Sequence, residues 1–112
     1  MEISVFLNNI KQDFIESCNL YHPKQIGNTI TIYKEGVDLP ELDEFQLAIL
    51  GVEEDRNSFD NTGSKDAPNA IRRALYQLFN HWNNVNIIDL GNIKTGFEIE
   101  DTYFALSNVF TT

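Results

Sequence analysis

The stretch of the chain with the clearest capacity for chemistry is a polar loop, residues 53–65, between an apolar run and a segment with helical spacing. Arg56 could bind a substrate carboxylate bidentately, Asn57 and Asn61 could donate hydrogen bonds to it, and Asp55 lies beside them. About thirteen residues is long for a strand-to-helix loop, and such loops often bind ligands. The alternative is architectural: Asp55 and Arg56 pin the loop, and the asparagines hold turn conformations. We therefore take these four as candidate substrate-binding residues and leave both interpretations open.

The remaining reactive side chains predict neither a metal centre nor a nucleophile. The carboxylates at 53–55 could act as a general base or bind a cation, but without a positioned partner we expect them to be exposed. The loop also lacks G-x-G-x-x-G and G-x-x-x-x-G-K-[ST], so it is not a phosphate cradle. His22 and His81 lie far apart without carboxylate partners at ligand spacing. Cys18 has no activating neighbour, so we expect it to be a small core residue. Taken together, these side chains predict no cofactor in this segment.

Charge and composition exclude several classes of partner. The net charge is −9, and no cluster of Lys and Arg is present to bind a phosphate backbone, so we expect no nucleic-acid partner. A hydrophobic fraction of 42% with eight Phe is enough for a real core in a single domain of 112 residues. No apolar run reaches transmembrane length, and the first residues lack a basic region, which predicts no membrane span and no signal peptide. One cysteine and no leader indicate a reducing cytoplasm.

The elements around the loop follow from the hydrophobic pattern. Phe45–Val52 is nearly continuously apolar, which predicts a strand buried on both faces. Val85–Leu90 predicts a second strand, ended by Gly91. Glu98, Glu100 and Asp101 fill the first turn of a predicted helix that continues to the end of the chain.

The segment after the loop has helical spacing, and Asp66 is its candidate N-cap, with Pro68 in the first turn. We expect its buried stripe to consist of apolar side chains, and Arg72 and Arg73 to point outward or toward the loop. The stripe contains Ile71, Leu75 and Leu78, broadened by Ala70, Ala74 and Phe79.

The first part of the chain, residues 1–44, is predicted as a strand and helix extension. Apolar residues from Val5 to Ile15 could line an imperfect helix that Asn8 and Asn9 interrupt. In Thr29–Tyr33 polar and apolar residues alternate and most are β-branched, which predicts a strand.

Residues 45–112 then form a β-α-β-α unit, and its two strands should be parallel. The carboxyl ends of parallel strands share one rim, where ligands bind. The fold class predicted is α/β, a partial three-layer αβα arrangement with parallel strands. Since two strands leave sheet edges unpaired, we also expect homo-oligomers.

The segment from Gly51 to Arg72 resembles the N-terminal part of the ureohydrolases: arginase, agmatinase and formimidoylglutamase. Their pattern is roughly G-V-P-x-D, a loop rich in Gly, Asn and Pro, and G-A-R-x-G-P-x-x-I-R. The residues here that match it are Gly51, Val52, Asp55, Gly63, Pro68, Ile71 and Arg72. Ile87–Gly91 then resembles the next strand of the family, which usually ends in D-L-G-D. The sequence departs from the family pattern at four places, which indicates a divergent branch nearest to formimidoylglutamase. The departures are Glu53 in place of Pro, Lys65 in place of Arg, Asp66-Ala67 in place of an aromatic-Gly pair, and Asn92 in place of Asp.

The resemblance implies the N-terminal part of an arginase-like fold, whose full-length members bind two manganese ions and hydrolyse guanidino or formimino groups. Their ligand motifs, G-G-D-H, D-x-H-x-D and S-x-D-x-D-x-x-D-P, are absent from this sequence and would lie beyond Thr112. We therefore expect this segment to be inactive alone and its loop, residues 51–65, to shape one wall of an amidino-substrate pocket. The alternative is a small standalone α/β module that works by binding or self-association.

Overall fold

The computed structural model describes residues 3–34, 41–56, 63–81 and 85–110. Helices and strands alternate along most of this length, joined by short 3₁₀ turns at 3–6, 18–20, 42–44 and 64–66. The longest described helix has 12 residues, and none is long and apolar enough to cross a membrane. In chain order the elements are β1 (Leu7–Asn8), α1 (Gln12–Ser17), α2 (Ile26–Thr29), β2 (Thr31–Ile32), β3 (Leu47–Val52), α3 (Ala67–Leu75), β4 (Ile87–Ile93) and α4 (Ile99–Phe110).

The sheet is organised around β4, which pairs along both of its edges. On one edge β3 runs parallel to it, with Leu47 opposite Ile87. On the other edge β2 is parallel and β1 is antiparallel, with Leu7 opposite Ile93. The predicted parallel pairing of the 45–52 and 85–90 strands, joined by a helix, is confirmed. The sheet as a whole is mixed, because β1 enters in the opposite direction.

Gly91 does not end β4, as the sequence predicted, but lies inside it. The register with β3 advances from Ile49–Asp89 to Gly51–Asn92, so β4 contains one extra residue at this point. Gly91 has φ +86°, and a Cβ there would lie 2.3 Å from the carbonyl oxygen of Asn8. The glycine thus permits a bulge and lets β1 approach closely, and the strand continues to Ile93.

Burial is concentrated in β4 and not in β3. All seven residues of β4 are buried. In β3 only Gly51 is buried, and Leu47 is 55% exposed. The prediction that 45–52 is buried on both faces is therefore wrong, because within the described chain β3 has a strand partner on one edge only.

The two faces of β4 pack against different helices. Ile88, Leu90 and Ile93 join Ala105 of α4 in one hydrophobic cluster. Asp89 and Asn92 contact α3 through hydrogen bonds. Helices therefore cover both faces of a mixed sheet, and the fold class is α/β.

The buried face of α3 is not the apolar stripe that its spacing predicted. Ile71 and Leu78 are 62% and 57% exposed, whereas Arg72 and Tyr76 are 2% and 0% exposed. The reason is electrostatic: Asp89 is buried in the strand beneath, and a buried carboxylate needs a cation beside it. Asp66 is at the N-cap position as predicted, but its side chain makes no capping hydrogen bond.

The N-terminal extension differs from its predicted form. The segment from Val5 to Ile15 is not one helix, since Leu7 and Asn8 pair with β4 and α1 begins only at Gln12. The predicted strand at 29–33 is reduced to β2, although the Tyr33 amide still donates to the Asp89 carbonyl oxygen over 3.0 Å. Pairing with the central strand outweighs local spacing in both places.

Candidate functional site at the carboxyl ends of β3 and β4

The loops that follow β3 and β4 leave the sheet at the same rim, because the two strands are parallel. The first loop is described from Glu53 to Arg56 and again from Gly63. Asn57 and Asn61, two of the four candidate binding residues, lie outside the described residues. The second loop, from Lys94 to Glu98, leads into α4.

Asp55 closes the base of the first loop. Its Oδ2 accepts a hydrogen bond of 2.6 Å from the backbone N–H of Gly63, eight residues later. This contact brings the two described ends of the loop together. It corresponds to the architectural role that the sequence left open for Asp55.

Arg56 joins the two loops. Its Nη1 donates to the Phe97 carbonyl oxygen over 2.7 Å, and its Nη2 donates to the Gly96 carbonyl oxygen over 3.0 Å and to Thr102 Oγ1 over 3.2 Å. The same guanidinium forms an ion pair with Glu54, with Nε 2.8 Å from Oε2. Arg56 therefore pins the loop through Glu54 and not through Asp55, and its side chain remains 37% exposed at the rim.

Glu54 is the buried anion of this arrangement, although the sequence predicted an exposed carboxylate. Its side chain is only 4% exposed and also accepts a hydrogen bond of 2.9 Å from Thr102 Oγ1. The hydrogen bond from Arg56 lowers the pKa of Glu54 to about 2, against the opposing effect of burial. Thr102 in turn accepts from the Gly96 N–H over 2.9 Å, so the two loops and α4 share one network.

A second polar network lies beneath α3, and sequence reasoning missed it. Arg72 binds Asp89 with two hydrogen bonds, Nε to Oδ2 at 2.8 Å and Nη2 to Oδ1 at 3.0 Å. Its other contacts are with Asn92 Oδ1 at 2.6 Å and with the Gly91 carbonyl oxygen at 2.8 Å. Tyr76 donates its hydroxyl to Asp89 Oδ2 over 2.5 Å, and burial raises its pKa, with the charge of Asp89 adding to the effect.

Every buried side-chain nitrogen and oxygen of this second network has at least one hydrogen-bond partner. No buried side-chain nitrogen or oxygen in the described part of the chain lacks a hydrogen-bond partner. The signal that could have found it is Asp89 itself, a lone carboxylate within Ile87–Leu90, which requires a cation from elsewhere. Arg72 and Tyr76 are four residues apart, so they lie on the same helix face, and both donate hydrogen bonds to Asp89.

The other reactive side chains are scattered. Cys18 is 3% exposed, and burial raises the pKa of its thiol. His22 and His81 are exposed, and His22 Nδ1 accepts a hydrogen bond of 3.0 Å from the Lys24 N–H. Over the described ranges no group of three or more His, Cys, Asp or Glu is arranged to hold a metal ion.

Comparison of the chain with protein-family models, with curated proteins and with solved structures finds no match.

Proposed function

We propose that this chain is the leading segment of a ureohydrolase-like, metal-dependent C–N hydrolase, and that the loop at 51–65 forms one wall of its substrate pocket. The parent protein would hydrolyse a linear amidine, a guanidino or formimino compound. The finer architecture, the first strands of an arginase-like three-layer fold, belongs to the same proposal.

The observation that carries the proposal is the packing of the residues on which the resemblance rests. A Cβ on Gly51 would lie 1.9 Å from Asn92 Oδ1 and 2.8 Å from the Cβ of Pro68, so strand end and helix start are in direct contact. Arg72, at the end of the same motif, binds Asp89 of the D-L-G sequence. The two segments that carry the resemblance thus contact each other through Gly51–Pro68 and Arg72–Asp89, and this packing supports the proposal.

The rim supplies the second line of support. Ligands of α/β sheets bind beyond the carboxyl ends of parallel strands, and there Arg56 ties the two loops together. Asp55 and Arg56 lie at this position and are the described members of the proposed pocket wall. Because the guanidinium already has protein partners, a substrate carboxylate would share Arg56 with Glu54.

Manganese enters this proposal only through the rest of a longer protein. The described residues do not offer a donor set for it, so hydrolysis would take place on residues of the parent protein outside this chain. We predict that the 112-residue chain alone neither binds Mn²⁺ tightly nor hydrolyses arginine, agmatine or N-formiminoglutamate.

Two measurements test the proposal. The first is the reading frame downstream of codon 112, where we expect G-G-D-H, D-x-H-x-D and S-x-D-x-D motifs. The second is electron paramagnetic resonance of Mn²⁺ titrated with the isolated chain, in which the signal of the free ion should persist. A frame without those motifs, or tight Mn²⁺ binding by the chain alone, would overturn the proposal.

A second candidate function is self-association, and the open side of β3 favours it. A groove of about 340 Å³ between β3 and α3 is lined by apolar side chains that include Ile49, Pro68 and Ile71. Leu47, on the same strand, is 55% exposed. β3 pairs with β4 along one edge, and its other edge has no strand partner in the described chain. A free strand edge beside an apolar groove is a surface on which another strand can add.

A further inference from the structure

A cavity of about 350 Å³ lies between α1 and α3, away from the Arg56 network. Its volume is in the range of small-molecule sites. The cavity contains neither Asp55 nor Arg56, so a ligand that binds there does not depend on the proposed function.

The charge around this cavity is opposite to that of the protein. The chain has 8 Lys and Arg against 17 Asp and Glu, yet Lys11, Arg72 and Arg73 all line the cavity. Among its described lining residues Asp13 is the one carboxylate. Since Arg72 is neutralised by Asp89, the remaining charged groups of the lining are two cations and one anion. Glu53 lines the adjoining cavity on the far side of Lys11, so the excess of positive charge is confined to the lining between Lys11 and Arg73.

The two outer cations have no described ion-pair partner. The ion pairs in the described residues are Arg56–Glu54 and Arg72–Asp89, so neither Lys11 nor Arg73 is compensated by a carboxylate within bonding distance. In a protein of net charge −9, two uncompensated cations at one opening attract an anion.

The walls below the charges are of two kinds. Ile10 is buried and Phe14 is half-buried, and together they give an apolar side to which a hydrocarbon body can pack. Asn69 adds an amide donor, and the guanidinium of Arg72 uses four of its five N–H donors on described partners.

From this arrangement we infer that the cavity between α1 and α3 binds a small organic anion, a carboxylate with a short hydrocarbon body. The carboxylate lies between Lys11 and Arg73, and the hydrocarbon lies against Ile10 and Phe14. Asp13 at the same opening weakens the binding of any anion and so sets the affinity below what the two cations alone would give.

The test is a nuclear magnetic resonance titration of the full ¹⁵N-labelled chain with hexanoate. Hexylammonium serves as the probe of opposite charge, and inorganic phosphate as the anion without a hydrocarbon. We expect hexanoate to shift the amides of Ile10, Phe14, Asn69 and Arg73, and to bind more tightly than either of the other probes.

The variants separate this site from a general charge effect. Lys11→Gln and Arg73→Gln should each raise the hexanoate Kd about twofold to fivefold. Asp13→Asn should lower it by a similar factor, and Lys24→Gln, the same charge change outside the lining, should leave it unaltered. All four positions are exposed, and circular dichroism verifies that each variant folds.

Four outcomes would overturn the inference: no hexanoate binding, equal affinity for hexylammonium, equal affinity for phosphate, or equal weakening by Lys24→Gln and Arg73→Gln. A lower hexanoate Kd for Asp13→Asn than for the native chain supports the inference, because a merely structural role of these residues would not strengthen binding.

Discussion

At the scale of single residues, the two ion pairs differ in how far the sequence predicts them. Glu54 and Arg56 are two residues apart, so their pairing is a local event that the loop composition allowed. Arg72 and Asp89 are seventeen residues apart, and helical spacing alone predicted that Arg72 points outward or toward the loop. Periodicity counts apolar positions and does not include the cost of leaving a buried carboxylate unpaired.

Breaking the Arg72–Asp89 pair should be severely destabilising. Arg72→Met leaves Asp89 charged and buried, so we expect the free energy of unfolding to fall by about 3–5 kcal/mol in urea denaturation. Arg73→Met, one position along and exposed, is the matched control and should change it by less than about 0.5 kcal/mol.

The double variant Arg72→Met with Asp89→Leu completes this experiment. Replacing both charges by apolar groups removes the unpaired carboxylate, so part of the lost stability should return. Equal stability of Arg72→Met and Arg73→Met would show that the buried pair does not hold α3 to the sheet.

The Glu54 network should make the rim sensitive to acid. The pKa of Glu54 is lowered in the folded chain from its ordinary 4.5 to about 2, so its contribution to stability is complete above pH 4.5. That contribution should be lost as the pH falls from about 4.5 through about 2, because the unfolded chain then binds the proton first.

The measurement is the urea midpoint as a function of pH. Glu54→Gln should flatten the acid limb of this curve relative to the native chain, whereas Glu41→Gln, at an exposed position, should leave the limb in place. Identical acid limbs for the native chain and Glu54→Gln would rule out a role for this carboxylate in stability.

At the scale of elements, β3, α3, β4 and α4 all occur where the hydrophobic pattern predicted them. The errors are in their boundaries and faces: β4 continues through Gly91, and α3 is rotated so that Arg72 is inside. Both errors have one origin, since β1 and Asp89 act on these elements from distant parts of the sequence. Local propensity cannot include a partner that only folding brings near.

Gly91→Ala should detach β1 from the sheet. A Cβ would lie 2.3 Å from the Asn8 carbonyl oxygen, and the residue would also be held at φ +86°. We expect a loss of at least about 1 kcal/mol in unfolding free energy, with faster amide hydrogen exchange at Lys94, whose N–H bonds to the Phe6 carbonyl oxygen.

Gly63→Ala is the control for this effect. Gly63 also has a positive φ, +105°, but nothing lies within 4 Å of an added Cβ. It should therefore show the conformational strain without the steric clash, and leave exchange at Lys94 unchanged. A smaller loss for Gly91→Ala than for Gly63→Ala would contradict the close approach of β1.

At the scale of the whole molecule, the free edge of β3 is a surface that no described strand covers. The exposed Leu47 and Ile71 flank an edge without a strand partner in the described chain. In the ureohydrolase proposal further strands of the parent protein would cover this side. In the isolated chain we expect copies to associate through it.

Light scattering coupled to size exclusion measures this association. The native chain should gain apparent mass with concentration, and Leu47→Lys should reduce the gain, because a lysine on an edge strand opposes strand addition. Leu20→Lys, at a residue that is 91% exposed elsewhere, should not. A monomer at every concentration would exclude self-association and weaken the proposal of an incomplete sheet.

The sequence by itself determined the order of strand, loop, helix and strand in residues 45–90 and the helix that follows. Apolar runs and helical spacing are properties of neighbouring residues, so they can be read without knowing the fold. The candidate status of Asp55 and Arg56 also came from this local order.

Only the tertiary structure decided which side chains these elements bury and bind. The pairs Arg72–Asp89 and Arg56–Phe97 and the β1–β4 ladder join residues 17, 41 and about 85 positions apart. In each case an unpaired charge, a free backbone acceptor or an open strand edge is satisfied by a distant part of the chain. That requirement is electrostatic and non-local, and therefore it leaves no periodic trace in the sequence.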